Sequence, residues 1–173
     1  MRYPAGFAGG IAHSTKGRPA KLALIDTAMD IRLRPVTEED LPIFFEQQRD
    51  PIANEMADFP AREREAFFAH WRDKVLSNPN GITRTILYDG VVTGNIVSWI
   101  HSGQREVGYW LGREFWGRGI ATRALQAFLA IDTTRPLHAF VVHHNLGSIR
   151  VLEKCGFVRA AQDAEGVTLI RYT

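Results

Sequence analysis

Glu106 to Ala130 read EVGYWLGREFWGRGIATRALQAFLA, a stretch in which an apolar strand ends, a glycine-rich turn follows and an amphipathic helix begins. From Gly119 to Ile131 the apolar residues Ile120, Ala124, Ala127, Phe128 and Ile131 recur at helical spacing. The first amides of a helix lack partners within it and carry the positive end of its dipole. Gly117, Arg118, Gly119, Ile120 and Ala121 can therefore present main-chain N–H groups to a phosphate. Glycine suits positions 117 and 119 because a side chain there would obstruct that approach. Arg113, Arg118 and Arg123 against the single Glu114 give the segment a local charge of +2, which also favours a phosphate-rich ligand. A glycine-rich turn that binds nothing is the competing explanation. Two other phosphate motifs are not matched: there is no Gly-Lys-Ser/Thr of a P-loop, and Thr122 stands where a dinucleotide fingerprint has its third glycine.

Working outward, Ile31 to Pro35 alternates apolar and basic residues as a half-buried strand does. A helix follows, capped at Thr37 or Asp40, with Leu41, Phe44, Phe45 and Gln48 on one side. A second helix is predicted from Pro60 to Ser77, with Phe67, Phe68, Trp71 and Val75 at helical spacing. Ile82 to Tyr88, Val91 to His101 and Arg105 to Leu111 are strand-like, the first two joined by Asp89-Gly90, a strong hairpin signal. After the central helix come a strand (Leu137 to Val142), a helix (Leu146 to Cys155) and two strands (Phe157 to Ala161, Val167 to Tyr172). The order βααβββαβαββ predicts an α/β (α+β) domain built on a mixed, mostly antiparallel central sheet flanked by helices.

At 173 residues, 45% apolar and 23% charged, the chain has the composition of one globular domain, which at this length buries roughly 70% of its unfolded surface. Residues 1–28 lack a periodic apolar face and read as an N-terminal extension, either flexible or reflecting a start assigned too early at Met1 rather than Met29, with the domain spanning 29–173. Glycines at 6, 9 and 10 interrupt its apolar runs before they reach signal-peptide length, and no later run approaches a membrane span. A cytoplasmic protein is expected. Twenty-one basic against 19 acidic residues leave a formal charge of +2, too small to argue for a nucleic-acid or membrane partner. Cys155 is the lone cysteine and reads as a small buried residue. No zinc-ligand cluster is evident, and His143 and His144 fall on opposite faces of a strand end, so no metal site is expected.

The turn resembles the phosphate-binding pattern of the GNAT superfamily of acetyltransferases: Gln or Arg, two residues, Gly, one residue, then Gly or Ala. Here it reads Trp116, Gly117, Arg118, Gly119, Ile120, Ala121. Trp116 departs from the family's first position, and the Phe-Trp-Gly-x-Gly-x-Ala form is similar to the branch that includes ribosomal-protein and other protein N-terminal acetyltransferases. The resemblance covers Ile31 to Tyr172 and implies acetyl-CoA as co-substrate, with Trp116 to Thr122 around its phosphates. Main-chain groups near Trp110 and Leu111 would pair with the pantetheine arm where that strand splays from Leu137–Val142. The side chains of Tyr109, Trp110 and Leu111 read as core.

His144 to Phe157, HNLGSIRVLEKCGF, is similar to the family's second signature. Gly156 and Phe157 are also accounted for as a helix C-terminal motif, and Asn145 as a cap; the resemblance adds a cofactor contact for Asn145. Leu152 stands where many members carry a tyrosine acid, and the N-terminal acetyltransferase branch points instead to Ser148 as proton donor to the leaving thiolate. Glu106 matches a family position where a carboxylate deprotonates the amine, with His101 on the neighbouring strand as an alternative. The implied reaction is acetyl transfer to a primary amine of a small molecule or a protein N-terminus by direct attack. A non-catalytic acyl-CoA-binding module and an acyltransferase using a longer chain are the alternatives. Acceptor loops are expected around the first two helices and Trp99 to Gln104. Phe59, Trp71 and Trp99 are candidates for lining the cleft, with core as their default. The acceptor and the choice between monomer and homodimer are not legible.

Overall fold

The computed structural model describes residues 30–173, so the expected boundary at residues 28 and 29 lies outside the described residues. Seven strands form one sheet in the order β1-β2-β3-β4-β5-β7-β6. They are β1 (Ile31–Arg34), β2 (Ile82–Tyr88), β3 (Val91–His101), β4 (Gln104–Leu111), β5 (Leu137–Val142), β6 (Val158–Gln162) and β7 (Gly166–Arg171). Neighbouring strands pair antiparallel except β4 and β5, which are parallel and joined by a helical crossover. The helices are α1 (Leu41–Gln48), α2 (Pro51–Ala57), α3 (Arg64–His70), α4 (Ile120–Leu129) and α5 (Leu146–Lys154). The expected mixed, mostly antiparallel sheet flanked by helices is the observed architecture.

Strand alternation divides the core between the two faces. Ile96, Val107, Tyr109, Leu111, Ala139 and Val141 meet Ile120, Ala124, Leu125 and Phe128 of α4 and Ile149 and Leu152 of α5. On the other face Val97 packs with Leu41, Phe44 and Phe45 of α1 and with Phe67 and Trp71. The hairpins are set by turn chemistry. Asp89 and Gly90 (φ 49° and 80°) and Ser102 and Gly103 (φ 48° and 79°) both take the doubly left-handed conformation that matches strand twist. At the end of α5, Phe157 N–H donates to Leu152 O (3.1 Å) and Gly156 N–H to Glu153 O (3.0 Å), with Gly156 at φ 83°, a Schellman motif that accounts for both residues.

Two features differ from expectation. Asp50 caps an additional helix, α2, accepting from the amides of Ile52 (2.9 Å) and Ala53 (3.1 Å), with Pro51 in its first turn. The helix expected from Pro60 begins at Arg64 and widens into a π-helical turn over Trp71–Leu76.

Two buried carboxylates lock the sheet to its connections. Asp40 receives both ends of the Arg34 guanidinium (2.6 Å each), the Thr85 hydroxyl (2.6 Å) and the Thr37 amide (2.9 Å). Asp132, in the α4–β5 connection, accepts from Ser98 Oγ (2.6 Å), Arg105 Nε (2.7 Å) and Thr134 N–H (3.0 Å). Burial raises both carboxyl pKa values, but these donors outweigh it and hold each below its ordinary value. The Asp132 cluster sits where β4 begins beside β5, and it secures the root of the gap described next.

Candidate active site

β4 and β5 share two rungs, Arg105 with Leu137 and Glu106 with His138, and then part. Past that point β4 stays paired to β3 as far as Leu111, and β5 to β7 as far as Val142. The two strands thus open toward their C-terminal ends, where an open α/β sheet places its ligands. Glu106 stands at the last shared rung, 6% exposed, between Trp99 on β3 and His138 on β5.

His138 is buried, and its Nδ1–H donates to the Arg105 carbonyl (3.2 Å), which directs the Nε2 lone pair away from that bond. Along the chain this residue carries little signal, only a histidine inside an otherwise apolar strand. His101, the expected alternative to Glu106, lies opposite Gln104 at the hairpin end, beyond the Trp99–Glu106 rung.

At the open end of the gap, the turn is ordered as its glycines require. Gly117 and Gly119 have φ 71° and 77°, and Gly117, Arg118 and Gly119 are exposed just ahead of α4. Ile120 and Ala121 bury their side chains in the core, so only their main chain faces the turn. Trp116, at the position where the family pattern has Gln or Arg, ties the loop to β4 through its indole N–H, which donates to Leu111 O (3.1 Å). Of the three arginines, Arg113 is paired with Asp50 (2.6 Å) and Arg118 stacks over the Tyr88 ring at 4.7 Å. Trp110 is core: fully buried, it packs with Phe59 and donates its indole N–H to Gln47 O (3.2 Å). Leu111 is likewise buried in the α4 side of the core.

Asn145 Oδ1 accepts from Ser148 N–H (3.1 Å) and so caps α5. Ser148 is fully buried, and its hydroxyl is one of the buried polar atoms with no hydrogen-bond partner. Tyr109 Oη lies 3.5 Å from Ser148 O, and burial drives the phenol pKa up. Leu152 is core, and burial pushes the Cys155 thiol up to about 11, which disfavours its thiolate. Among the described residues no group of three His, Cys, Asp or Glu is placed to hold a metal ion. No described helix is long and apolar enough to cross a membrane.

A cleft of about 680 Å³ lies beside β5 on the α2 side. It is lined by Ala57 to Phe59 after α2, by Phe140 to Asn145, and by Ala164 and Glu165 in the β6–β7 turn. His138 shares a face with Phe140 and Val142, one alternate position deeper along the strand. Of the three aromatic candidates Phe59 lines this cleft. Trp71 is core, and Trp99 borders a separate cavity of about 110 Å³ with His70. The 99–104 hairpin takes no part in the cleft lining, whereas the β6–β7 turn does.

Comparison with known proteins gives a consistent picture. The sequence profile of the Acetyltransferase (GNAT) domain family matches residues 30–158. The "Putative ribosomal N-acetyltransferase YdaF" of Bacillus subtilis is 32% identical over 114 residues, a match covering 60% of each chain. Among solved structures, a domain from Methanocaldococcus jannaschii superposes with a TM-score of 0.71 at 18% identity, covering 84% of this chain and 99% of that one. The aminoglycoside acetyltransferase AAC(6')-Ib in complex with coenzyme A superposes with a TM-score of 0.70 at 21% identity, covering 83% and 95%.

Proposed function

The chain belongs to the GNAT acetyltransferase family, and on that premise we propose that it transfers an acetyl group from acetyl-CoA to a primary amine of a small molecule or a protein N-terminus, by direct attack in a ternary complex. One observation carries the reading: the β4–β5 gap has a carboxylate at its apex and an open glycine turn at its mouth.

The amides of Gly117 to Thr122, with Trp116 holding the loop in place, receive the coenzyme A phosphates at the positive end of the α4 dipole. Main-chain groups near Trp110 and Leu111 align the pantetheine arm along β4, and Asn145 contacts it from α5. The acceptor approaches through the cleft on the α2 side. Its nitrogen must be neutral to attack, and at pH 7 only on the order of one alkylammonium in 10³ is. Glu106 takes the proton, directly or through a water, with His138 beside it on the neighbouring strand. The nitrogen lone pair then forms the C–N bond, the C–S bond breaks, the nitrogen sheds its second proton to water, and the thiolate takes a proton from Ser148, whose hydroxyl has hydrogen-bonding capacity to spare. Ser148 recovers its proton from solvent as products leave.

The test uses the full chain with acetyl-CoA, a panel of amines and a thiol reagent. Coenzyme A release above the enzyme-free rate, with an acetylated amine identified by mass spectrometry, is the expected result. Acetyl-CoA binding without release for any amine would instead mark a binding module. A longer acyl-CoA outcompeting acetyl-CoA would reassign the donor.

A further inference from the structure

The cavity of about 110 Å³ beside Trp99 has no part in the acetyl-transfer steps above, and none of its lining residues lines the cleft beside β5. One wall comes from the end of α3 and the π-helical turn that follows, a distortion that recurs at functional sites. His70 and Lys74, four residues apart on one helix face, reach the cavity together, with Val75 beside them. Thr83 on β2 and Val97 and Trp99 on β3 form the opposite wall. The loop between the two walls is ordered. Gly81 N–H donates to Asn78 O (3.0 Å) and Asn80 N–H to Asn78 Oδ1 (3.0 Å). Arg105, itself fixed by Asp132, donates to Asn80 O.

Two polar groups here lack a counterpart. His70 Nε2 is buried with no hydrogen-bond partner, a condition that costs free energy and marks a place for a water, an ion or a ligand. Lys74 makes no ion pair among the described residues, and no aspartate or glutamate lines the space. Burial, with Arg62 and Lys74, pushes His70 down to about 4, so its ring is neutral at pH 7 and the lining carries a formal charge of +1. Lys74 repels a cation. Water alone is a poor match, because a space for three or four molecules at about 30 Å³ each is walled by Val75, Val97 and an indole face that offer them no hydrogen bonds. An anionic head on an apolar body matches both parts of the lining. On the scale of benzene filling an apolar cavity of about 150 Å³, this one holds about four or five non-hydrogen atoms. We propose that the cavity is a binding site for a short-chain monocarboxylate, separate from the acetyl-transfer site. The imidazole N–H at Nε2 and the Lys74 ammonium donate to the carboxylate, and the hydrocarbon packs against Val75, Val97 and Trp99.

The test titrates the full chain with propionate, acetate and propionamide at pH 7 and constant ionic strength. Binding is followed by NMR at the Trp99 indole N–H, assigned by its loss in Trp99→Phe. Propionate should shift this signal saturably, with a Kd on the order of 1 mM. Propionamide, equal in size but uncharged, should bind about tenfold more weakly or worse, the worth of a charge-assisted hydrogen bond. Acetate, one methylene shorter, should bind about fourfold more weakly than propionate. His70→Phe should reduce the preference for propionate over propionamide to about twofold, and Lys74→Gln should weaken propionate about two- to fivefold. Lys74 is exposed and outside any ion pair among the described residues, so its variant keeps the fold and decides the matter if His70→Phe does not fold. Equal affinities for propionate and propionamide, or for propionate and acetate, overturn the proposal. So does a shift that never saturates, or a propionate affinity that Lys74→Gln leaves unchanged. Saturating coenzyme A should leave the propionate Kd within about twofold; displacement would assign the signal to the catalytic gap and overturn a separate site.

Discussion

Replacing Asp132 by alanine tests whether the root of the β4–β5 gap is secured as the geometry implies. The carboxylate is 1% exposed and its partner Arg105 8% exposed. Its removal leaves the Arg105 guanidinium, the Ser98 hydroxyl and the Thr134 amide without the acceptor they share. Breaking one side of a buried pair costs about 3–5 kcal/mol, against about 0–1 kcal/mol for an exposed pair. For a domain stable by about 5–15 kcal/mol this is a large fraction, equivalent to a fall in Tm of about 6–20 °C. Urea unfolding followed by circular dichroism reads the loss as a shift in midpoint at constant slope. Replacing both partners, Arg105→Leu with Asp132→Leu, should cost less than Asp132→Ala alone, because no buried charge is then left unpaired. The pH dependence has a definite sign. Asp132 titrates below its ordinary value in the folded state, so its contribution is complete above about pH 4 and is lost as pH falls through the folded pKa. A loss below about 1 kcal/mol for Asp132→Ala at neutral pH, or a loss that does not diminish in acid, would refute the reasoning.

Glu106→Gln should lower kcat by about 10²- to 10⁴-fold at neutral pH, with the defect shrinking as pH approaches the amine's own pKa; near-normal rates would move the base to His138, His101 or a water. Ser148→Ala should lower turnover without pH rescue and without weakening acetyl-CoA binding. Because its hydroxyl has no partner, thermal stability should hold or rise, and a clear loss of Tm would mark Ser148 as structural instead. Gly119→Val forces a β-branched residue to φ 77°, at a folding cost of about 1–2 kcal/mol, and places a side chain in the phosphate approach. Calorimetry should find acetyl-CoA binding abolished in a folded protein, and unchanged affinity would remove the turn from the site. His70, pushed down to about 4 by burial with help from Arg62 and Lys74, makes the fold favour its neutral form. Stability should therefore fall as pH drops from about 6.5 toward 4 and be flat above, a slope that His70→Asn should remove if the assignment is right.

Features carried by neighbouring residues are legible along the chain. The bounds of β2, β3 and β5 follow from alternation and from the left-handed turn at Asp89-Gly90. The α5 terminus follows from Gly156, and the anion-ready turn from Gly117 and Gly119 ahead of a helical repeat. Each is a conformational preference settled within a few residues. α2 is hard to read along the chain because its seven residues bury only Ala53 and Ala57, leaving no apolar stripe, although Asp50-Pro51 is a usable start signal. Tertiary structure alone decided which distant residues meet. Arg113, counted toward phosphate from local charge, is neutralised by Asp50, a residue far upstream. His138 acquires its meaning from sharing a rung with Glu106, and the parting of the strands above that rung creates the gap. Asp58 and Glu165 face one cleft because α2 covers one side of the β4–β5 opening while the sheet order places β7 and its turn on the other. Backbone preference is local and can be read along the chain. Juxtaposition depends on strand order and register, which the long-range burial of apolar faces selects.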